Sequence, residues 1–168
     1  MAELNGDFVV DPHRTRIGFI AAHRGGAKVR GHFKDFEGTA HLDANPSEST
    51  ARLTVQPASI ETGNHRRDAQ LAKDFLGATT YPAITFVTTK VIEVAKQRHD
   101  VTGDLTIRGT TCSLTVPFEL AAAGDDLRFT ASLTIDRHAW NANWNAFTTA
   151  LVRADVQLDL DILATRHH

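Results

Sequence analysis

Histidine, cysteine and serine are the residue types with which this chain could perform catalysis or hold a metal, and it contains nine histidines and one cysteine. The histidines form neither an H-E-x-x-H pair nor the Cys/His spacing of a structural zinc site. No serine lies in a G-x-S-x-G turn, the usual setting of a hydrolase nucleophile. Cys112 lies on an apolar row, where a buried, inert thiol is favoured over a nucleophile. The sequence therefore predicts no catalytic residue, no metal site and no cofactor.

Two cations, Arg66 and Arg67, stand near the start of a predicted helix at 65–76. Asn64 or Thr62 can serve as its N-cap. Guanidinium groups beside a helix N-terminus are suited to bind phosphate or another polar head group. The alternative is a solvated helix face on which one arginine pairs with a carboxylate. The spacing leaves both interpretations open.

The elements that must position these residues are β-strands, because apolar and polar residues alternate through most of the chain. The clearest run, 101–136, predicts three antiparallel strands joined by tight turns. The full set of predicted strands covers 15–23, 28–43 with a bulge near Lys34–Asp35, 50–56, 84–94, three strands within 101–136, and 150–163. The helix falls between the third and fourth strands.

Eight such strands predict an all-β protein, either a sandwich of two sheets or one sheet closed into a barrel. Long strands in an up-and-down order favour an eight-stranded antiparallel barrel with a short helical insertion between strands 3 and 4. Closure also removes exposed strand edges, which promote aggregation. The loop that contains Trp140, Trp144 and Phe147 is interpreted as a hydrophobic plug.

The inward-facing rows of the later strands are either packed core or the wall of a cavity. Nine residues define these rows: Leu105, Ile107, Leu114, Val116, Phe118, Phe129, Leu133, Val156 and Leu158. Protein interiors are usually close-packed, which favours a packed core. The same rows contain the small residues Gly103, Cys112, Ala131 and Ala154, which would leave room if they cluster.

A length of 168 residues indicates one domain, predicted at 7–164 with tails at 1–6 and 165–168. The net charge of the chain is −2. His167 and His168 could be the remnant of an affinity tag. The charge gives no reason to expect nucleic acid, and no apolar run suits stable membrane insertion. The N-terminus lacks the features of a signal peptide, which favours the cytoplasm; a leader removed earlier would indicate the periplasm or secretion.

Five stretches together resemble the bacterial YceI-like family of polyisoprenoid-binding, lipocalin-like barrels. They are Asp11-Pro12-His13 with His23, Gly31–Gly38, Ser59–Asp74 leading into Tyr81–Phe86, Val101–Gly109, and Ile135–Arg137. The resemblance covers about 7–163. Two positions depart from the family pattern: Arg14 replaces a small hydroxyl residue, and Trp140 stands close to where the family usually has Phe-Gly.

The resemblance implies a barrel with a helical cap and an elongated apolar cavity, and so reverses the preference for a packed core. The cavity wall that it implies consists of Phe19, Leu53, Phe86, Leu105, Ile107, Leu114, Val116, Phe118, Phe129, Leu133, Trp144, Val156 and Leu158. The candidates for binding a ligand head group are His13, His23, Arg66 and Arg67. His13 and His23 match family positions and could meet at one end of the barrel.

The expected function is therefore non-covalent binding, carriage or storage of an isoprenoid quinone, a prenyl diphosphate or a fatty-acid-like chain, without enzymatic activity. One alternative is an enzyme acting on an apolar substrate at the barrel mouth. It needs an ionisable residue inside the cavity, and the inward rows contain almost none. The other alternative is a filled barrel that serves as an interaction module. A homodimer is compatible with such a barrel, although no residue pattern demands one.

Overall fold

Antiparallel pairing joins the described strands of this protein into one sheet. The computed structural model describes residues 5–23, 25–140, 142 and 152–167. The strands are β1 (Gly6–Val10), β2 (Arg16–His23), β3 (Lys28–Phe33), β4 (Phe36–Leu42), β5 (Thr50–Val55), β6 (Ile60–Glu61), β7 (Ile84–Ala95), β8 (Arg98–Ile107), β9 (Thr110–Ala123), β10 (Asp126–Asp136) and β11 (Val152–Arg166). The helical elements are α1 (His65–Gln70), the π-helical turn Leu71–Phe75 that continues it, and 3-10 turns at Pro46–Glu48, Pro57–Ser59 and Arg137–Trp140.

The sheet closes into a barrel because β11 pairs with β10 on one side and with β1 on the other. Eight strands form the closed ring, in the order β1-β4-β5-β7-β8-β9-β10-β11. Strand β11 is long enough to pair with β1 near Arg166 and with β2 from Val152 to Asp161. Strands β3 and β6 extend the wall beyond β2. The predicted eight-stranded antiparallel barrel is thus confirmed over the sandwich.

One predicted strand is divided. The stretch 28–43 was expected to form a single strand with a bulge near Lys34–Asp35, but it forms β3 and β4, with a break at these two residues. The reason is a change of partner, since β3 pairs with β2 and β4 pairs with β1. The barrel also extends beyond the predicted domain end: residues 165 and 166 belong to β11 and pair with Asp126 and Phe8.

The helical insertion lies between β5 and β7, which correspond to the predicted strands 3 and 4, and it follows the short strand β6, which was not predicted. The side-chain oxygen of Asn64 accepts a hydrogen bond from the Arg67 amide at 3.0 Å, so Asn64 is the N-cap. Gly77, with φ of 61°, follows the π-helical turn and reverses the chain. The buried Ala72 packs with Phe19 and Ile60, which docks the insertion onto the barrel. Across residues 5–23, 25–140, 142 and 152–167, no helix is both long enough and apolar enough to cross a bilayer.

Arg14, the first departure from the family pattern, links the β1–β2 turn to the barrel by hydrogen bonds. It donates hydrogen bonds to Asp11 at 2.8 Å, to Asp126 at 3.0 Å and to the Thr165 hydroxyl at 3.2 Å. The hydrogen bond from Arg14 holds the pKa of Asp11 below its ordinary value, with help from the His13 amide. The pKa of Asp126 is lowered by Arg14 first and by Thr165 second.

These lowered pKa values predict a loss of stability in acid that depends on Arg14. Both carboxylates are favoured in the folded state above the ordinary aspartate pKa of about 3.9, and this contribution disappears as the pH falls through their lower folded values. We expect Arg14→Ala to lower the melting temperature at neutral pH, and the difference from the wild type to shrink below about pH 4. Thermal melts followed by circular dichroism from neutral to acidic pH measure this. Arg66→Ala, at an exposed site, is the control; a pH-independent difference for Arg14→Ala would contradict the assignment.

A candidate ligand cavity inside the barrel

A cavity of about 680 Å³ occupies the interior of the barrel. Apolar side chains of β2, β5 and β7–β11 form most of its wall, and the π-helical turn contributes Leu71 and Phe75. Ligand pockets in proteins generally span about 300–1,000 Å³, and a cavity of about 150 Å³ holds one benzene molecule. By that scale the space of about 680 Å³ suits an apolar molecule with on the order of 25 carbons.

The buried core around the cavity is divided into three clusters. Phe8, Leu127 and Ala164 form one, and Phe19, Ile60 and Ala72 form another beneath the helical insertion. Leu105, Ile135 and Trp140 form the third. A barrel of eight strands has an interior that side chains either fill or leave free for one small ligand. Here the clusters pack against parts of the wall, and an open interior remains.

The structure brings most of the predicted wall residues together. Lining the cavity are Phe19, Leu53, Phe86, Leu105, Ile107, Leu114, Val116, Phe118, Phe129, Val156 and Leu158. Leu133 does not line it but packs against the cluster of Leu105, Ile135 and Trp140. Trp144 lies outside the described residues. Contact between these side chains and a ligand stays a prediction.

Three of the four small residues of the inward rows do not create this space, and the side chain of the fourth, Ala154, lies outside what the structure describes. Gly103, Cys112 and Ala131 are not part of the cavity lining. A Cβ atom on Gly103 would lie 2.6 Å from the Phe86 ring, so the aromatic side chain already fills the room beside the glycine. Cys112 is only half-buried, and its thiol donates to the Ala139 carbonyl at 3.4 Å. The cavity arises instead from the circumference of the barrel.

Of the predicted head-group residues, Arg67 alone reaches the cavity lining with a described side chain. Its guanidinium donates to the Thr62 hydroxyl and to the Thr62 carbonyl, both at 2.8 Å. The Thr62 hydroxyl in turn hydrogen-bonds the carboxylate of Asp68. Arg66 is exposed on α1. Arg67 therefore supports the loop before α1 by donating to oxygen atoms of Thr62. The alternative in the sequence analysis was an arginine paired directly with a carboxylate.

His13 and His23 do not meet at one end of the barrel. His13 is exposed in the turn that precedes β2, where its amide donates to Asp11 at 2.9 Å. His23 is the last residue of β2, so the whole length of the strand separates the two positions. The match of both residues to family positions suggested that they could meet, but an extended strand of eight residues spans roughly 25 Å.

The lining contains ionisable side chains that the sequence interpretation missed. Arg137 is 6% exposed, donates to the Ala142 carbonyl at 2.8 Å, and lies 5.7 Å from the centre of the Phe75 ring. Burial lowers the pKa of Arg137, which the negative charge of Asp136 partly opposes. Arg137 belongs to the 3-10 turn after β10, so it lies outside the inward-facing strand rows in which ionisable residues were sought.

His99 and Glu93 form the second missed group, on neighbouring strands β8 and β7. They are directly paired across the strands, and both line the cavity. The Nε2 atom of His99 lies 3.6 Å from a carboxylate oxygen of Glu93. Alternation would have found His99, because it shares the inward parity of Val101 and Leu105.

Three of the exposed lining residues lie at one end of the barrel. Ala44, Thr50 and Glu93 are exposed there, beside the β4–β5 and β7–β8 connections. At the opposite end the lining residues Phe75 and Arg137 are buried. Among these described lining residues, the exposed ones lie at the end distant from the helical insertion. No group of three or more His, Cys, Asp or Glu side chains in the part of the chain that the structure describes is placed to hold a metal ion.

Known proteins share this architecture. Protein YceI of Shigella flexneri is 38% identical over 112 residues, which span 66% of this chain and 58% of that protein. The crystal structure of Burkholderia cenocepacia BcnA superposes with a TM-score of 0.87 at 30% identity, covering 93% of this chain and 99% of that one. A polyisoprenoid binding domain from Saccharophagus degradans gives a TM-score of 0.81 at 13% identity, covering 95% and 98%.

The match to the Shigella relative spans less than two thirds of that protein's own length. The family comparison covers far more of this chain, since the model of the YceI-like domain matches residues 8–164. That range begins in β1, ends at residue 164 near the end of β11, and includes the helical insertion. The chain therefore belongs to the YceI-like domain family.

Proposed function

We propose that this protein binds one long apolar molecule non-covalently inside its barrel and carries or stores it. The ligand class is an isoprenoid or a fatty-acid-like chain. The observation that carries the proposal is the cavity of about 680 Å³ with its predominantly apolar wall. Membership of the YceI-like family supports it, as does the fold shared with a polyisoprenoid binding domain.

The energetics of such binding are adequate. Each CH₂ group removed from water contributes about 0.8 kcal/mol, so ten buried prenyl carbons contribute on the order of 8 kcal/mol. Association entropy opposes this by several kcal/mol. A chain that fills more of the cavity therefore reaches micromolar or tighter affinity without any covalent bond. The proposal requires no chemical step, and the compartment and oligomeric state of the protein stay predictions.

Native mass spectrometry of protein purified without detergent tests this function. We expect a population with a lipid-sized mass increment that collisional activation removes, together with the same lipid in an organic extract. Delipidated protein should then take up one added C20 prenyl compound per chain. Preparations that are consistently empty, and that bind neither prenyl nor acyl compounds on addition, would refute the proposal.

A further inference from the structure

His99 has a buried ring nitrogen without a partner. Its side chain is 10% exposed, and its Nδ1 atom makes no hydrogen bond within the described residues. Leaving a buried polar atom without a partner destabilises the folded state, so such an atom calls for an explanation. Because His99 lines the cavity, a molecule bound there is the nearest available partner.

Glu93 decides what kind of partner Nδ1 can accept. Its carboxylate lies 3.6 Å from Nε2, which favours the ring form with the proton on that nitrogen. In the neutral ring the other nitrogen, Nδ1, is then a hydrogen-bond acceptor. A ligand must therefore offer a donor, such as a hydroxyl group. An ether oxygen or a ketone oxygen offers none.

The charges at this end of the cavity disfavour an anionic head group. Two acidic residues, Asp43 and Glu93, belong to the lining. Arg52 also contributes to it, but Arg52 is exposed and pairs in register with Val87, which is exposed as well. Strand alternation places the inward face on the neighbouring Leu53, so the Arg52 side chain lies on the outer face. A diphosphate or carboxylate here would face acidic side chains.

We propose that the ligand ends in a neutral hydroxyl group that donates a hydrogen bond to His99 Nδ1, as a long-chain alcohol does. This inference rests on the proposed function and adds the orientation and the head-group class of the ligand. The hydroxyl lies at the end of the cavity that holds His99 and Glu93, and the apolar chain extends towards Leu71 and Phe75 under the helical insertion. Head-group recognition is thereby assigned to β7 and β8 instead of the arginines of α1.

Three C20 probes test the inference by titration against delipidated protein: geranylgeraniol, its methyl ether and geranylgeranyl diphosphate. The alcohol is expected to bind about tenfold more tightly than the ether, which keeps the oxygen but lacks the donor. It should also bind more tightly than the diphosphate. A saturated C20 alcohol distinguishes an isoprenoid source from a fatty-alcohol source of the same hydroxyl group.

Two variants, His99→Leu and Glu93→Gln, with Arg98→Leu as a control, separate head-group recognition from simple packing. His99→Leu should weaken alcohol binding about tenfold and leave ether binding unchanged, whereas Arg98→Leu, an exposed neighbour on the same hairpin, should change neither. Glu93→Gln, at a half-exposed site, should improve diphosphate binding about twofold to fivefold. This second variant and the wild-type series carry the test if His99→Leu does not fold.

The outcomes distinguish this inference from the function on which it rests. Equal affinities for alcohol and ether, as expected if water alone satisfies Nδ1, would overturn the head-group assignment and leave lipid binding intact. Preference for the diphosphate would overturn it as well. If none of the C20 probes binds, the proposed function fails and the inference fails with it.

Discussion

Replacing Leu114 by Trp is expected to reduce ligand uptake about a hundredfold. Leu114 lines the cavity from β9, directly opposite Gly103 on β8. An indole at this position projects into the space that the ligand chain occupies. Displacing roughly four methylene-sized groups from the wall removes about 3 kcal/mol of binding free energy, which is about a hundredfold in affinity.

The matched control introduces the same side chain on the other face of the same strand. Ser113 is exposed and adjacent to Leu114, so Ser113→Trp adds an indole outside the barrel. Titration of both variants with the C20 alcohol, alongside thermal melts, measures the effect. Unchanged affinity in a folded Leu114→Trp variant would show that the ligand does not occupy the barrel interior.

Replacing Trp140 by Ala is expected to destabilise the protein by about 3–5 kcal/mol. Trp140 is 4% exposed and packs with Leu105 and Ile135. Its indole N–H donates to the Leu105 carbonyl at 2.7 Å. Strands β9 and β10 pair only from Asp126 to Thr130. The 3-10 turn that carries Trp140 contacts β9 beyond this pairing with β10, where the Cys112 thiol donates to the Ala139 carbonyl. Both the packing and this closure disappear with the indole.

Trp140→Phe separates the two contributions, because it retains most of the aromatic packing and removes the hydrogen bond. Its expected cost is about 1–3 kcal/mol, the penalty for leaving a buried acceptor unpaired. Urea denaturation of the wild type and both variants gives the free energies of unfolding. If Trp140→Ala lost less than about 1 kcal/mol, the indole would not be a structural part of the barrel end.

The alternation of apolar residues carried enough information to favour the barrel and to identify its inward-facing rows, whereas the cavity wall was implied by the resemblance to the YceI-like family. Period-2 patterns determine which face of a strand is dry, and this is a local property. The pairing of β3 with β2 and of β4 with β1 is not local, so the break at Lys34–Asp35 could only be approximated as a bulge. Leu133 had the correct inward parity, but it packs against the cluster of Leu105, Ile135 and Trp140 and does not line the cavity, which depends on how the strands and the 3-10 turn come together.

The polar part of the site shows where sequence reasoning ended. Arg66 and Arg67 were predicted to bind a ligand head group because they stand near the start of the predicted helix. In the structure Arg67 donates to Thr62, and Arg66 is exposed. His99 stands singly in a strand and has no motif around it. Its importance rests on burial and on an unpaired nitrogen, which are visible only when the strands on both sides are in place.

The sequence by itself determined most of the strands, the capped helix and the membership of a barrel family, because periodicity, capping and family motifs depend on residues that are close together in the chain. Only the tertiary structure decided that the interior stays open, since an open or filled barrel depends on how far side chains from opposite walls reach across the same space. The separation of the core into three clusters around a cavity of about 680 Å³ is such a property. So is the end at which His99 meets that cavity.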